Sequence, residues 1–296
     1  MSGGRDLGIT LAGGGNRAFY QLGLLNRWGE QLLPRLAAAA TCSAGACVLL
    51  MYLSRRRPEA RSLFQERTRG IERNLDWRRL VRGQRLAPHG DIYRETLLTT
   101  FAGGGFERIR EQPFPIFVLA SAFPARLPAA LATTLGIAAY QTEKALRPRL
   151  MHPSFGRALG FTPFVVDARD CTDAEELADL VMASSATPPF TPLGRFRGTR
   201  LLDGGMIDNV PAFVAEGAPG VRRNLVLLTR PYDAATLGLQ GSRFYVAPTR
   251  PVPVSRWDYT RPHLLEDTVD MGEREADAHW AEVAGFAGIR VKGTGA

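Results

Sequence analysis

Three short stretches of the 296-residue chain carry residue types that could do chemistry together. The first is Ala12-Gly13-Gly14-Gly15-Asn16-Arg17, which follows an apolar run and precedes a helical pattern. A backbone without Cβ atoms can approach a ligand closely and adopt unusual dihedrals. Free N–H groups at the start of the following helix form an anion site. Negative charge developing there in a transition state is stabilised by roughly 2.7–4 kcal/mol per donor. Gly13, Gly14, Gly15 and Asn16 are therefore candidate oxyanion-hole residues, and Arg17 would steady the loop or a negative headgroup. A glycine-rich turn that only connects two elements would look the same.

The second stretch is Thr41-Cys42-Ser43-Ala44-Gly45. A serine on a sharp strand-to-helix turn is held exposed at a helix N-terminus, and the crowded turn requires small neighbours. Gly45 and Ala46 meet that demand after Ser43, whereas Thr41 stands where the strict G-x-S-x-G pattern has glycine. Taken alone, Ser43 is equally an ordinary helix N-cap. The third stretch is Asp203-Gly204-Gly205, after Leu201-Leu202. A carboxylate at a strand end, turned by two glycines, can reach a neighbouring serine hydroxyl and take its proton. Taken alone, Asp-Gly is more often a plain turn.

Other chemistries fit less well. Gly13, Gly15 and Ala18 satisfy G-x-G-x-x-A, the dinucleotide fingerprint, which also needs an acidic residue about 20 positions on. Ala37-Ala38-Ala39-Ala40-Thr41 supplies none, and no Gly-Lys-Ser/Thr follows to make a phosphate loop. No cofactor is expected. The chain has four histidines, His89, His152, His263 and His279. A Ser-Asp-His triad in hydrolase order would need His263 or His279, and both fall on a polar helical pattern. A histidine-free Ser43–Asp203 pair is the simpler reading. The three cysteines, Cys42, Cys47 and Cys171, give neither a disulfide framework nor zinc-ligand spacing.

The elements that must position these groups alternate along the chain. Leu7–Leu11 and Leu36–Ala40 read as strands, each followed by a turn and a helix, the second helix running to about Leu53. Residues 59–112 are arginine-rich and mostly helical by pattern, with a break at Gly103-Gly104-Gly105. Pro115–Phe123, Phe164–Asp167, Thr199–Leu202, Asn224–Thr229 and Phe244–Ala247 read as strands, Glu175–Ser184 and His263–Val283 as helices. That order predicts an α/β fold with three layers, α/β/α, around a mainly parallel central sheet. One domain is expected over 1–296, its core roughly 6–285.

Net charge is +8 and almost all the positive charge is arginine, since Lys144 and Lys292 are the only lysines. An anionic surface, phospholipid headgroups or nucleic acid, would attract such a chain. A codon composition favouring arginine explains the same balance, and nucleic acid has no support beyond charge. The N-terminus lacks a signal-peptide layout, and the longest apolar run, Leu127–Tyr140, is too short to span a bilayer. A cytoplasmic protein with peripheral membrane contact is the resulting expectation.

Together the three stretches resemble the patatin-like phospholipase family. Its Gly-Gly-Gly-x-Arg loop, Gly-x-Ser-x-Gly elbow and downstream Asp-Gly-Gly/Ala turn correspond in order to Gly13–Arg17, Thr41–Gly45 and Asp203–Gly205. Ala183–Pro188 and Asp208–Pro211 are similar to the stretches around that aspartate. The resemblance implies a Ser43–Asp203 dyad hydrolysing lipid esters without metal. Two positions depart from the pattern, Thr41 and Ala18, and the Cβ bulk of Thr41 is expected to tilt the elbow helix or narrow the site. A catalytically weakened lipid-binding protein on the same fold is the alternative.

Overall fold

The structure is a computed structural model that describes residues 4–124, 134, 150–152 and 155–290. Its nine described strands are β1 (Leu7–Leu11), β2 (Leu36–Cys42), β3 (Ile116–Ala122), β4 (Thr162–Asp167), β5 (Gly194–Phe196), β6 (Thr199–Asp203), β7 (Arg223–Leu227), β8 (Gly238–Gln240) and β9 (Arg243–Val246). All lie in one sheet, in the order β5-β6-β3-β2-β1-β7-β9-β8, with β4 beside β3. The five central strands β3-β2-β1-β7-β9 are parallel. Antiparallel pairing is confined to β4, β5, β6 and β8.

The ten described helices are α1 (Phe19–Leu32), α2 (Ala44–Ser54), α3 (Arg57–Thr68), α4 (Arg78–Val81), α5 (His89–Phe101), α6 (Gly105–Arg110), α7 (Phe155–Ala158), α8 (Ala174–Ser184), α9 (Ala212–Glu216) and α10 (His263–Ala287). Alternation along β7 shows how the sheet is covered on two sides. Leu225 and Leu227 join the main core with Trp28 of α1 and Leu49 of α2, while Val226 and Leu228 pack with Ala212 of α9. The central strands are buried on both faces and so read as continuous apolar runs. Leu7, Ile9 and Leu11 are at most 1% exposed, and Thr10 between them is buried with its hydroxyl donating to Asn224 Oδ1 at 3.0 Å.

The sequence expectations hold for the central elements and differ at the edges. The polyalanine run is a strand and extends to Cys42. Alanine is a weak strand former, and burial between two layers overrides that preference. Residues 59–112 are less helical than their pattern predicts, because 69–77 and 82–88 lie outside the α-helices. The short strands β5 and β8 and the five-residue α9 carried no periodic signal. The apolar run Leu127–Tyr140 lies outside the described residues except for Thr134. No described helix is long and apolar enough to cross a membrane.

β3 brings the functional stretches together. One of its edges is shared end to end by two strands running towards each other. β2 pairs up to Cys42↔Leu119, and β6 pairs from Ala120↔Asp203 onward. The carboxyl ends of β2 and β6 therefore meet on consecutive residues of β3.

Candidate active site

Ser43 occupies the sharp turn between β2 and α2, with φ 54° and ψ −131°. A positive φ at a non-glycine residue is strained and persists only where the surroundings enforce it. Its N–H donates to Ser184 Oγ at 2.8 Å, and Ser184 Oγ in turn donates to the Leu119 carbonyl at 2.6 Å. Ser184, at the end of α8, thus ties the elbow to β3. The Ser43 side chain makes no capping bond to α2. The ordinary N-cap role is therefore not the one it plays, and the hydroxyl is left facing the clefts described below.

Asp203 ends β6 half-buried. Its Oδ1 accepts from Gly205 N–H at 2.7 Å, its Oδ2 from the Thr187 hydroxyl at 3.3 Å. Burial pushes its carboxyl above the ordinary aspartate range. Hydrogen bonding from the Ser43 side chain, Gly205 N–H, the positive charge of Arg256 and the Thr187 hydroxyl pull it part of the way back. The thiol of Cys42 lies 3.9 Å from Asp203 Oδ1 and is pushed well up by burial and then by that carboxylate. It stays protonated and is no rival nucleophile.

The glycine loop supplies fewer free donors than its sequence promised. Gly13 N–H donates to the Asn209 carbonyl at 2.9 Å, and Asn16 N–H to the Arg256 carbonyl at 3.0 Å. The Asn16 amide donates to the Asp258 carbonyl at 2.8 Å. The N–H groups of Gly13 and Asn16 are thus engaged in holding the loop. The Gly13 carbonyl is gripped by Asn209 Nδ2 at 2.8 Å and the Thr229 hydroxyl at 3.0 Å. Arg17 Nε donates to the Gly14 carbonyl at 3.3 Å. Among the described residues, the N–H groups of Gly14 and Gly15 have no acceptor. Gly15 has φ 57°, and a Cβ there would lie 2.3 Å from the Arg256 carbonyl, so only glycine fits.

Ser43 stands where two clefts join. One, of about 830 Å³ counting its open mouth, is lined by Asp203, Gly14, Gly15, Asn209 and Arg256. The other, of about 590 Å³ on the same measure, is walled by Phe19, Phe64, Tyr93, His89 and Tyr259. Trp257 lines both, stacked on Phe190 with ring centroids 4.6 Å apart. Apolar walls with a few convergent polar groups suit an organic ligand with one reactive polar end.

Among the described residues, no histidine is hydrogen-bonded to Ser43. His263 and His279 line neither cleft. His89 lines the second, and its Nε2 is engaged with the Trp257 carbonyl at 2.9 Å, its pKa lowered by burial. His152 pairs instead with buried Asp208, Nδ1 to Oδ2 at 2.8 Å. Asn209, Thr229, Ser184, Thr187 and Arg256 were not singled out from the sequence. Ser184, Thr187 and Asn209 lie inside the stretches similar to the family pattern and Thr229 ends the Asn224–Thr229 strand, whereas Arg256 carries no local signal.

Thr41 does not crowd the elbow. It is fully buried in β2, and its hydroxyl donates to the Phe117 carbonyl of β3 at 3.0 Å. Thr41→Gly is accordingly expected to lower stability by about 1–2 kcal/mol, through a lost hydrogen bond and a more flexible strand. Ester turnover should not rise. Denaturant melts and initial rates check both, and a clear gain in rate would show that Thr41 restrains the site.

A family model described as patatin-like phospholipase matches residues 9–216. The chain belongs to the patatin-like phospholipase family. Residues 9–216 take in most of β1, all of β2 through β6, the glycine loop, the elbow and the Asp203 turn, whereas Thr229, Arg256, Trp257, Asp258 and Tyr259 lie outside the matched region. Among solved structures, the chain is similar to VipD from Legionella pneumophila, with 14% identity and a TM-score of 0.40 over 93% of this chain and 67% of that one. Among curated proteins, none matches the chain by sequence.

Proposed function

We propose that this patatin-like protein is a serine lipid acyl hydrolase in which Ser43 is the nucleophile and Asp203 its base. The observation that carries the reading is the meeting of β2 and β6 on one edge of β3, which sets the strained Ser43 beside a half-buried carboxylate. Ser43 Oγ attacks the ester carbonyl carbon as its proton passes to Asp203. The carbonyl oxygen, now negative, is held by the N–H groups of Gly14 and Gly15, joined by that of Ala44 at the start of α2. The tetrahedral adduct collapses, and Asp203 gives the proton to the departing alcohol. Water, deprotonated by Asp203, then attacks the acyl-serine, and as the acid is released Asp203 returns the proton to Ser43 Oγ. The aromatic cleft offers room for the acyl chain, and the wider cleft with Arg256 for the rest of the lipid. The single sheet supports one patatin-like domain.

Labelling with a fluorophosphonate probe tests this reading. The native chain is expected to label once, and Ser43→Ala not at all. A folded native chain that resists the probe, yet binds lipid, would favour the weakened lipid-binding alternative.

A further inference from the structure

The segment between α3 and α5 presents surface unlike the rest of the molecule. Trp77 is 72% exposed, Val81 91%, Leu80 48% and Leu75 39%; the only other exposed large apolar side chains among the described residues are Val165, Leu193 and Leu239. Trp77, Leu80 and Val81 are spaced i, i+3, i+4 across the short helix α4, so they share one side of it. Six arginines and two acidic residues fall between positions 69 and 85. Arg69, Arg73, Arg78 and Arg82 are exposed and form no ion pair among the described residues. By contrast Arg67 pairs with Glu95, and Arg85 lies 3.5 Å from Asp91.

The segment is tied to the wall of the aromatic cleft at both ends and in the middle. Phe64 of α3 and His89 of α5 line that cleft. Asn74 Oδ1 accepts from the N–H of Tyr259, another cleft residue, at 2.8 Å, and Ile71 packs against the apolar cluster that includes Phe64 and Tyr259. Whatever seats on the segment therefore rests beside the cleft that ends at Ser43.

We propose that residues 69–86 form the face by which the protein docks on an anionic phospholipid surface. Trp77, Leu80 and Val81 enter the headgroup boundary, and Arg73, Arg78 and Arg82 meet lipid phosphates. Tryptophan and aliphatic side chains flanked by arginine suit that boundary, because an apolar body and a charged rim find apolar and anionic partners at one depth. An RNA or acidic protein would satisfy the arginines and leave Val81 and Leu80 in water or against charge. The choice of phospholipid rests on the hydrolase reading; the docking face itself does not.

The test is cosedimentation of the full chain with vesicles of phosphatidylcholine alone, or mixed with phosphatidylglycerol. Two double variants accompany the native chain, Trp77→Ser with Val81→Ser and Arg78→Gln with Arg82→Gln. Native protein should pellet with the mixed vesicles and much less with the neutral ones. Each double variant should partition at least ~10-fold more weakly, as loss of interfacial burial or of two phosphate-facing charges implies. Melting temperatures and turnover of a soluble short-chain ester should match the native chain, because these side chains are exposed and line neither cleft. Equal pelleting of native and variants, native pelleting no better on anionic than neutral vesicles, or binding to RNA or acidic polypeptide in preference to the mixed vesicles would each overturn the proposal. Trp77-dependent vesicle binding without ester turnover would sustain the docking face and sink the hydrolase reading. Turnover of the soluble ester without vesicle binding would do the reverse.

Discussion

Asp203→Asn is expected to lower kcat for ester hydrolysis by ~10⁴-fold, the size of the loss when a triad carboxylate is removed in serine hydrolases. At neutral pH the melting temperature should stay the same or rise. The two halves have one cause. Burial holds the carboxyl above the ordinary aspartate value of 3.8, so its charged form is disfavoured where it sits. The folded pKa is raised, so the contribution of Asp203 to stability is complete below the unfolded value and is lost as pH climbs through the folded one. Asparagine carries no charge to desolvate and keeps an oxygen for the Gly205 N–H. It cannot take a proton from Ser43. The same shift sets the native pH profile. Asp203 must be ionised to act, so the acid limb of kcat/KM should lie above that of an ordinary aspartate. An acid limb at or below 3.8, or an Asn variant that unfolds more readily and keeps its rate, would remove Asp203 from the chemistry.

How much of this was legible in the sequence depended on whether a residue advertises itself locally. Ser43 and Gly45 share one turn, and Gly13 to Arg17 another, so composition alone marks them. Asp203 has only a turn signal of its own. Its meaning comes from β6 running antiparallel onto the edge of β3 that β2 has just vacated, and β5 and β6 are too short for periodicity to orient. The glycine loop supplies fewer free donors than its composition suggests for a related reason. Which N–H groups stay free is decided by Asn209, far downstream, and by Arg256, farther still, and no spacing rule links those positions. Crowding alone predicts a cost for Thr41 at the elbow. In the fold its hydroxyl satisfies a β3 carbonyl, and the close contact with the β1 backbone falls at Gly45.

That contact carries the second large prediction. A Cβ at Gly45 would sit 2.6 Å from the Leu11 carbonyl and 2.9 Å from that of Ala12. Both belong to the backbone running from β1 into the glycine loop, and neither can rotate away as a side chain would. Ala12 is also fixed, its N–H donating to the Leu227 carbonyl at 3.0 Å and its carbonyl accepting from buried Gln21 at 3.1 Å. Relief must therefore come from α2 moving off β1, which shifts Ser43 relative to Gly14 and Gly15. Gly45→Ala should cost about 1–3 kcal/mol of stability, as overpacking in a tight core does. Displacing the nucleophile from its oxyanion donors should reduce turnover by a further ~10²-fold or more among molecules that remain folded. Gly45→Val should exceed both. Denaturant melts give the first quantity, and initial rates corrected for the folded fraction give the second. A folded Gly45→Ala protein with native turnover would mean that the elbow and the glycine loop are not held in register by this contact, and that the oxyanion donors lie elsewhere than at Gly14 and Gly15.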